Sequence, residues 1–201
     1  MNDLKKGKKI KFGKYEWRIL DVQDKKAFII TDEIIEKRRL DEKSSIWASS
    51  EIRKYLNGEF FSSFSATDQS KIVLQIIKTN KISKKEQCVC ICEYTHDHIF
   101  CLSYDEVYRY LSDGTKKLEK FEKVAKRDKY NWYIEDENSI LRQAKFEDKN
   151  YSWWLRSPSY DGSTTARVLS NGNIRILVRH IRHDYISIHG VRPALWLNMG
   201  N

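Results

Sequence analysis

Proline occurs twice and glycine eight times in 201 residues. That scarcity excludes collagen-like repeats, proline-rich spacers and long flexible linkers. No apolar run approaches the roughly 18 residues of a bilayer-crossing helix, and the mean hydropathy is -0.67. Several signatures are also missing: the Gly-rich phosphate loop, the Gly-x-Ser-x-Gly elbow, the His-Glu-x-x-His zinc helix and the dinucleotide fingerprint. The enzyme classes that depend on them are excluded with them. The basic start, from Lys5 to Lys9, has no apolar stretch behind it. No export signal is read, and a cytoplasmic location with reduced thiols is expected.

What is present is aromatic and charged. Six Trp, eleven Tyr and eight Phe supply ample apolar area, and 32% of residues are charged. These values predict one soluble domain over residues 1–201. The net charge of +9 is unevenly spread. Residues 1–50 hold 13 Lys and Arg against 9 acids, 51–150 hold 18 against 17, and 151–201 hold 6 against 2. All six cations of the last stretch are arginine: Arg156, Arg167, Arg175, Arg179, Arg182 and Arg192. The guanidinium fork suits carboxylate and phosphate, so this stretch is a candidate face for an anionic or polar partner. Arginine stems covering aromatic rings on a solvated face are the plainer reading.

Cys88, Cys90, Cys92 and Cys101 lie within fourteen positions, near His96 and His98. These six residues raise a mixed sulfur and nitrogen zinc site as an alternative. Strand alternation disfavours it, because same-face thiols sit about 7 Å apart along a strand, wider than the ligands of one tetrahedral zinc. The reading is therefore no metal, no cofactor and small buried thiols.

Along the chain, Lys8 to Phe12, Tyr15 to Val22 and Ala27 to Thr31 read as an antiparallel meander, with Trp17, Ile19, Phe28 and Ile30 facing inward. A serine cap before Glu51 and an Asn57-Gly58 stop bracket a short amphipathic helix. Another helix starts near Ser65 or Thr67. Residues 97–102 read as a buried strand, and Ser103 with Glu106 has the spacing of a capping box. From about 113 to 149 the chain is polar and charged, and is read as a helical surface excursion.

The C-terminal quarter returns to strands. A three-residue loop, Ser170 to Gly172 with Gly172 left-handed, pairs Val168 with Ile174 and Ala166 with Ile176. Arg167 then opposes Arg175, and this second face is expected to turn toward water with Arg179. Like charges placed opposite one another require a counter-anion, aromatic stacking or solvation.

Two motifs are specific: Trp153-Trp154-Leu155-Arg156-Ser157-Pro158, and Gly190-Val191-Arg192-Pro193-Ala194-Leu195-Trp196-Leu197-Asn198. They resemble an uncharacterised bacterial domain family. In layout that family is similar to the C-type-lectin-like fold of formylglycine-generating enzymes and of diversified retroelement receptors. The resemblance implies an α+β fold of antiparallel strands and hairpins with a few short helices, and terminal strands close together. It also implies a ligand-facing surface between the two motifs. Trp153, Trp154, Pro193 and Trp196 are expected in the core, with Arg156 and Arg192 as structural donors.

The expected function is a non-catalytic recognition module. It binds a protein or other polar or anionic partner through residues 159–189, with Tyr160, Arg167, Arg175, Arg179, His180, Arg182, His183 and Tyr185 as candidate contacts. Two other readings stand beside it. A basic nucleic-acid-binding protein fits the pI of about 9.3 but lacks a motif. An enzyme related to the formylglycine-generating oxidases would need a cysteine pair in the C-terminal half, where none occurs.

Overall fold

A computed structural model describes residues 4–80, 93–111, 126–127, 131–134, 137–158, 165–177 and 186–200. The N-terminal meander is as the sequence predicts: β1 (Lys9–Phe12), β2 (Tyr15–Gln23) and β3 (Lys26–Thr31) pair antiparallel in order. Asp24 and Lys25 turn the second hairpin with φ of 46° and 61°, the left-handed pair that matches the twist of the flanking strands. The chain then runs through β4 (Glu36–Arg38) to α1 (Glu51–Tyr55). The Ser50 hydroxyl caps α1 by accepting from the Arg53 N–H at 3.2 Å.

Asn57-Gly58 does not stop this helix. The backbone continues as a π turn over Leu56–Phe60, burying Leu56 and Phe60. Asn57 instead binds a distant segment. Its Oδ1 accepts from the His98 N–H at 2.7 Å, and its Nδ2 donates to the Ile99 carbonyl at 2.9 Å. Tertiary bonds and burial outweigh the local preference of the Asn-Gly pair. Ser65 caps α2 (Ala66–Lys71), as expected, and β5 (Ile72–Val73) follows directly.

A two-stranded ribbon of β6 (Gln75–Thr79) and β7 (Glu93–Asp97) comes next. Residues 98–102 are not a regular strand, although Ile99 to Leu102 are fully or nearly fully buried. They make one bridge, Phe100 to Ala194, and the Leu102 carbonyl accepts the Arg156 N–H at 3.0 Å. Ser103 and Glu106 form the capping box of α3 (Tyr104–Tyr110).

The excursion is strand, not helix, where its first half is described. β8 (Lys126–Arg127) pairs with β9 (Asn131–Ile134), and β9 pairs with a C-terminal strand. At these six positions the chain pairs along a sheet instead of coiling, while the residues at helical spacing lie at 118–125. Residues 112–125 lie outside the described residues. A short α4 (Ser139–Arg142) and a small hairpin of β10 (Lys145–Phe146) and β11 (Lys149–Asn150) complete the stretch.

The last strands are β12 (Trp153–Pro158), β13 (Thr165–Val168), β14 (Ile174–Leu177), β15 (His189–Val191) and β16 (Ala194–Asn198). Two main sheets result, ordered β1-β2-β3-β16-β5 and β4-β15-β12-β13-β14-β9-β8. The architecture is α+β, with mostly antiparallel strands, hairpins and, among the described residues, four short helices. β1 and β16 share a sheet with β2 and β3 between them. One hydrophobic core cluster draws on both sheets, from Trp17, Ile19 and Phe28 to Trp153, Leu155 and Leu195. Trp196 departs from the core expectation. It is half-buried and stacks on Phe28 with ring centroids 5.0 Å apart.

The hairpin between β13 and β14 has the register argued from its pattern: Val168 faces Ile174 and Arg167 faces Arg175. Gly172 is left-handed at φ 87° and lies against α4, where an added Cβ would come 1.8 Å from the Ser139 carbonyl oxygen. Changing Gly172 to alanine therefore combines backbone strain with a backbone clash. A loss of about 2–3 kcal/mol is expected, read as a lower urea midpoint at constant m-value. An unchanged midpoint would mean that the turn is not docked on α4.

Candidate functional site

β12 and β13 supply the floor of the region between the two motifs. Every described side chain in both strands is buried, so neither face of this part of the sheet is a simple solvent face. That overturns one expectation. Arg167 is only 8% exposed, and its guanidinium turns inward. Its Nη1 lies 2.9 Å from His189 Nε2, and His189 Nδ1 lies 2.6 Å from Ser152 Oγ. The edge of Trp154, the strand partner of Arg167, meets the imidazole at 4.5 Å. The inference from alternation failed because the side chains of His189 and Trp154 share that face with Arg167 and pack around it, so the face that was to carry cations into water is closed. Arg175, opposite, is half-buried.

Ser152, His189 and Arg167 look at first like a nucleophile, a base and an orienting group. Their polarity is reversed. Arginine can only donate, so His189 Nε2 accepts and Nδ1 carries the proton, which it gives to Ser152 Oγ. A hydrolytic base needs the opposite arrangement, with an acid on the far nitrogen and a free lone pair toward the serine. The three groups therefore act as a polar lock between β15, β12 and β13.

The motif arginines are internal. Arg156 Nη2 donates to Glu106 Oε1 at 2.7 Å, and Nη1 donates to Glu106 Oε2 and, at 2.8 Å, to the Cys101 carbonyl. Arg192 Nε donates to the Thr31 carbonyl at 2.8 Å and Nη2 to the Asp32 carbonyl at 3.0 Å. Its guanidinium lies 5.1 Å from the Trp153 ring centroid. Burial pushes Arg192 down to about 10, with the nearby Asp32 charge acting in the opposite sense. Burial opposes ionisation of Asp32, but Lys9 at 2.5 Å and Arg18 at 2.7 Å prevail and hold its carboxyl below the ordinary range. Burial and the neighbouring Glu106 charge push Asp105 up to about 6.

Of the thiol and imidazole candidates, Cys101 is fully buried, and burial pushes its thiol up to about 12. A thiol held protonated is a poor nucleophile and a poor ligand. His98 stacks on Phe61 at 4.4 Å, and His96 is exposed. Among the described residues no three metal-ligating groups come together. Cys88, Cys90 and Cys92 lie outside the described residues.

Residues 24–199 match a family described as a domain of unknown function, DUF6273. The chain belongs to that family. No curated protein and no solved structure matches it. The DUF6273 match takes in both specific motifs and β3 to β16, and leaves β1 and β2 outside. Of the candidate contacts in this DUF6273 chain, Arg167 and Arg175 face each other across one hairpin. Tyr160, Arg179, His180, Arg182, His183 and Tyr185 lie outside the described residues.

Sequence reasoning missed Ser152, the carboxylate of Glu106 as the partner of Arg156, and the buried Asp97. Each is a polar residue whose partner lies far along the chain, as with Glu106 and Arg156 at a separation of 50. No local pattern announces such pairs. Among the described residues, no helix is long and apolar enough to cross a membrane.

Proposed function

We propose that this DUF6273 chain is a non-catalytic recognition module of C-type-lectin-like layout. It engages a protein or other polar or anionic partner through the connecting segments between its two motifs. The observation that carries this reading is topological. The chain leaves β12 at Pro158, re-enters at Thr165, and leaves β14 at Leu177, which pairs with Asn131 at the start of β9. Because β13 and β14 are antiparallel, these four points share one end of the seven-stranded sheet. Beneath them β12 and β13 are buried and locked, so the segments 159–164 and 178–185 leave from a rigid base. Binding residues carried on loops above a rigid scaffold are the common arrangement.

Arg167 is removed from the contact set, because it belongs to the lock with His189. The test is a triple variant, Arg175→Ser, Arg179→Ser and Arg182→Ser, compared with the parent for capture of partners from a lysate at low and high salt. Loss of a discrete protein partner at both salts supports the reading. Unchanged capture by a folded variant rejects this surface. Capture confined to nucleic acid, and falling steeply as salt rises, favours the basic-protein alternative.

A further inference from the structure

A second site lies away from those segments. β1 is an outer strand of the five-stranded sheet, and beside it opens a cleft of about 700 Å³. β1 forms one wall, while the end of α2 and the last residues of β16 form the other. The lining includes Lys8, Lys9, Lys11 and Lys71 and no acidic residue. Lys9 is engaged by Asp32 and, at 3.7 Å, by Glu16. Lys11 and Lys71 are exposed and have no ion-pair partner among the described residues. Glu16, which stands opposite Lys11 in the strand register, turns toward Lys9. Apolar side chains of Ile10, Phe12, Leu197 and Met199 also line the cleft.

The backbone of β1 decides what fits. The Lys8 carbonyl accepts the Ile19 N–H at 2.9 Å, which sets the alternation of the ladder. Ile10 and Phe12 direct their N–H and C=O groups toward β2, so those of Lys9 and Lys11 point outward along an edge that is unpaired among the described residues. Such an edge is a template for another strand. Its side chains alternate, lysine on one face and apolar on the other.

We infer that this cleft takes up an extended acidic segment of a partner protein, which adds to β1 as a further antiparallel or parallel strand. Main-chain bonds to Lys9 and Lys11 hold it. Carboxylates meet Lys11 and Lys71, and alternate apolar side chains enter beside Ile10 and Phe12. This is strand addition with charge selecting the partner.

The probe is a labelled peptide of about six residues, a usual strand length, alternating glutamate and valine. Three comparisons accompany it: the same peptide with lysine for glutamate, one N-methylated at alternate backbone positions, and a duplex DNA of similar charge. The expected results are saturable binding of the acidic peptide, and slowing of amide exchange at Lys9 and Lys11 by at least about tenfold, with little change at Ile10 and Phe12. The Lys11→Glu/Lys71→Glu variant should weaken binding about tenfold or more while core amides keep their protection. Equal binding of the N-methylated peptide, or binding without protection of Lys9 and Lys11, overturns strand addition. Preferred binding of the lysine peptide overturns the charge argument, and tighter binding of DNA at the same amides makes the cleft a nucleic-acid face instead. If the double variant unfolds, the N-methylated peptide on the parent protein decides the matter alone.

Discussion

Changing Glu106 to alanine is expected to lower the free energy of unfolding by about 3–5 kcal/mol, the usual loss when a buried charge is left without its partner. Arg156 is 3% exposed, and two of its nitrogens depend on the Glu106 carboxylate. Glu106 also accepts the Ser103 N–H at 2.8 Å and so closes the capping box of α3. One truncation therefore strands a charge and opens a helix end. Urea unfolding measures the loss. The paired replacement Arg156→Met with Glu106→Leu should recover part of it, since the stranded charge is then gone while the helix end stays open. A loss under about 1 kcal/mol in the single variant would place the pair among solvated surface bridges.

Asp97→Ala should have an effect of similar size, about 3–5 kcal/mol, for a related reason. Asp97 has no exposed surface. Its Oδ2 accepts from Trp47 Nε1 at 2.9 Å and from Thr95 Oγ1 at 2.7 Å, and its Oδ1 accepts from Arg53 Nε at 2.6 Å. Alanine leaves a buried indole N–H, a hydroxyl and a guanidinium without their acceptor. Asp97→Asn keeps the volume but offers one oxygen in place of two, so an intermediate loss is expected. Near-ultraviolet circular dichroism gives a second readout, because Trp47 should lose its fixed environment. If alanine and asparagine variants are both as stable as the parent, Asp97 does not organise this junction.

The hairpin between β13 and β14 was legible because three local signals agree: alternating aliphatics, a glycine where a left-handed residue is needed, and one register that separates the faces. The caps at Ser50, Ser65 and Ser103 were legible for the same reason, each being a short-range bond between a hydroxyl and a nearby N–H. The direction of Arg167 was not. Alternation tells which residues share a face, and it does not tell whether the opposite face meets water. The side chain of His189 closes over that face, and it arrives from later in the chain. Asn57 misled in a similar way, its local stop outvoted by partners distant in sequence.

The candidate site divides along the same line. The sequence alone marked the two tryptophan-bearing motifs and the arginine-rich segment between them as places to examine. Only the packed chain named the partners of Arg156 and Arg192, turned Arg167 inward onto His189 and brought β1 opposite the end of β16 to open a cleft. Periodicity and capping are decided over a few residues, where sequence neighbours are also neighbours in space. The partner of a buried charge and the cover over a sheet face are decided by chain segments that meet only after folding.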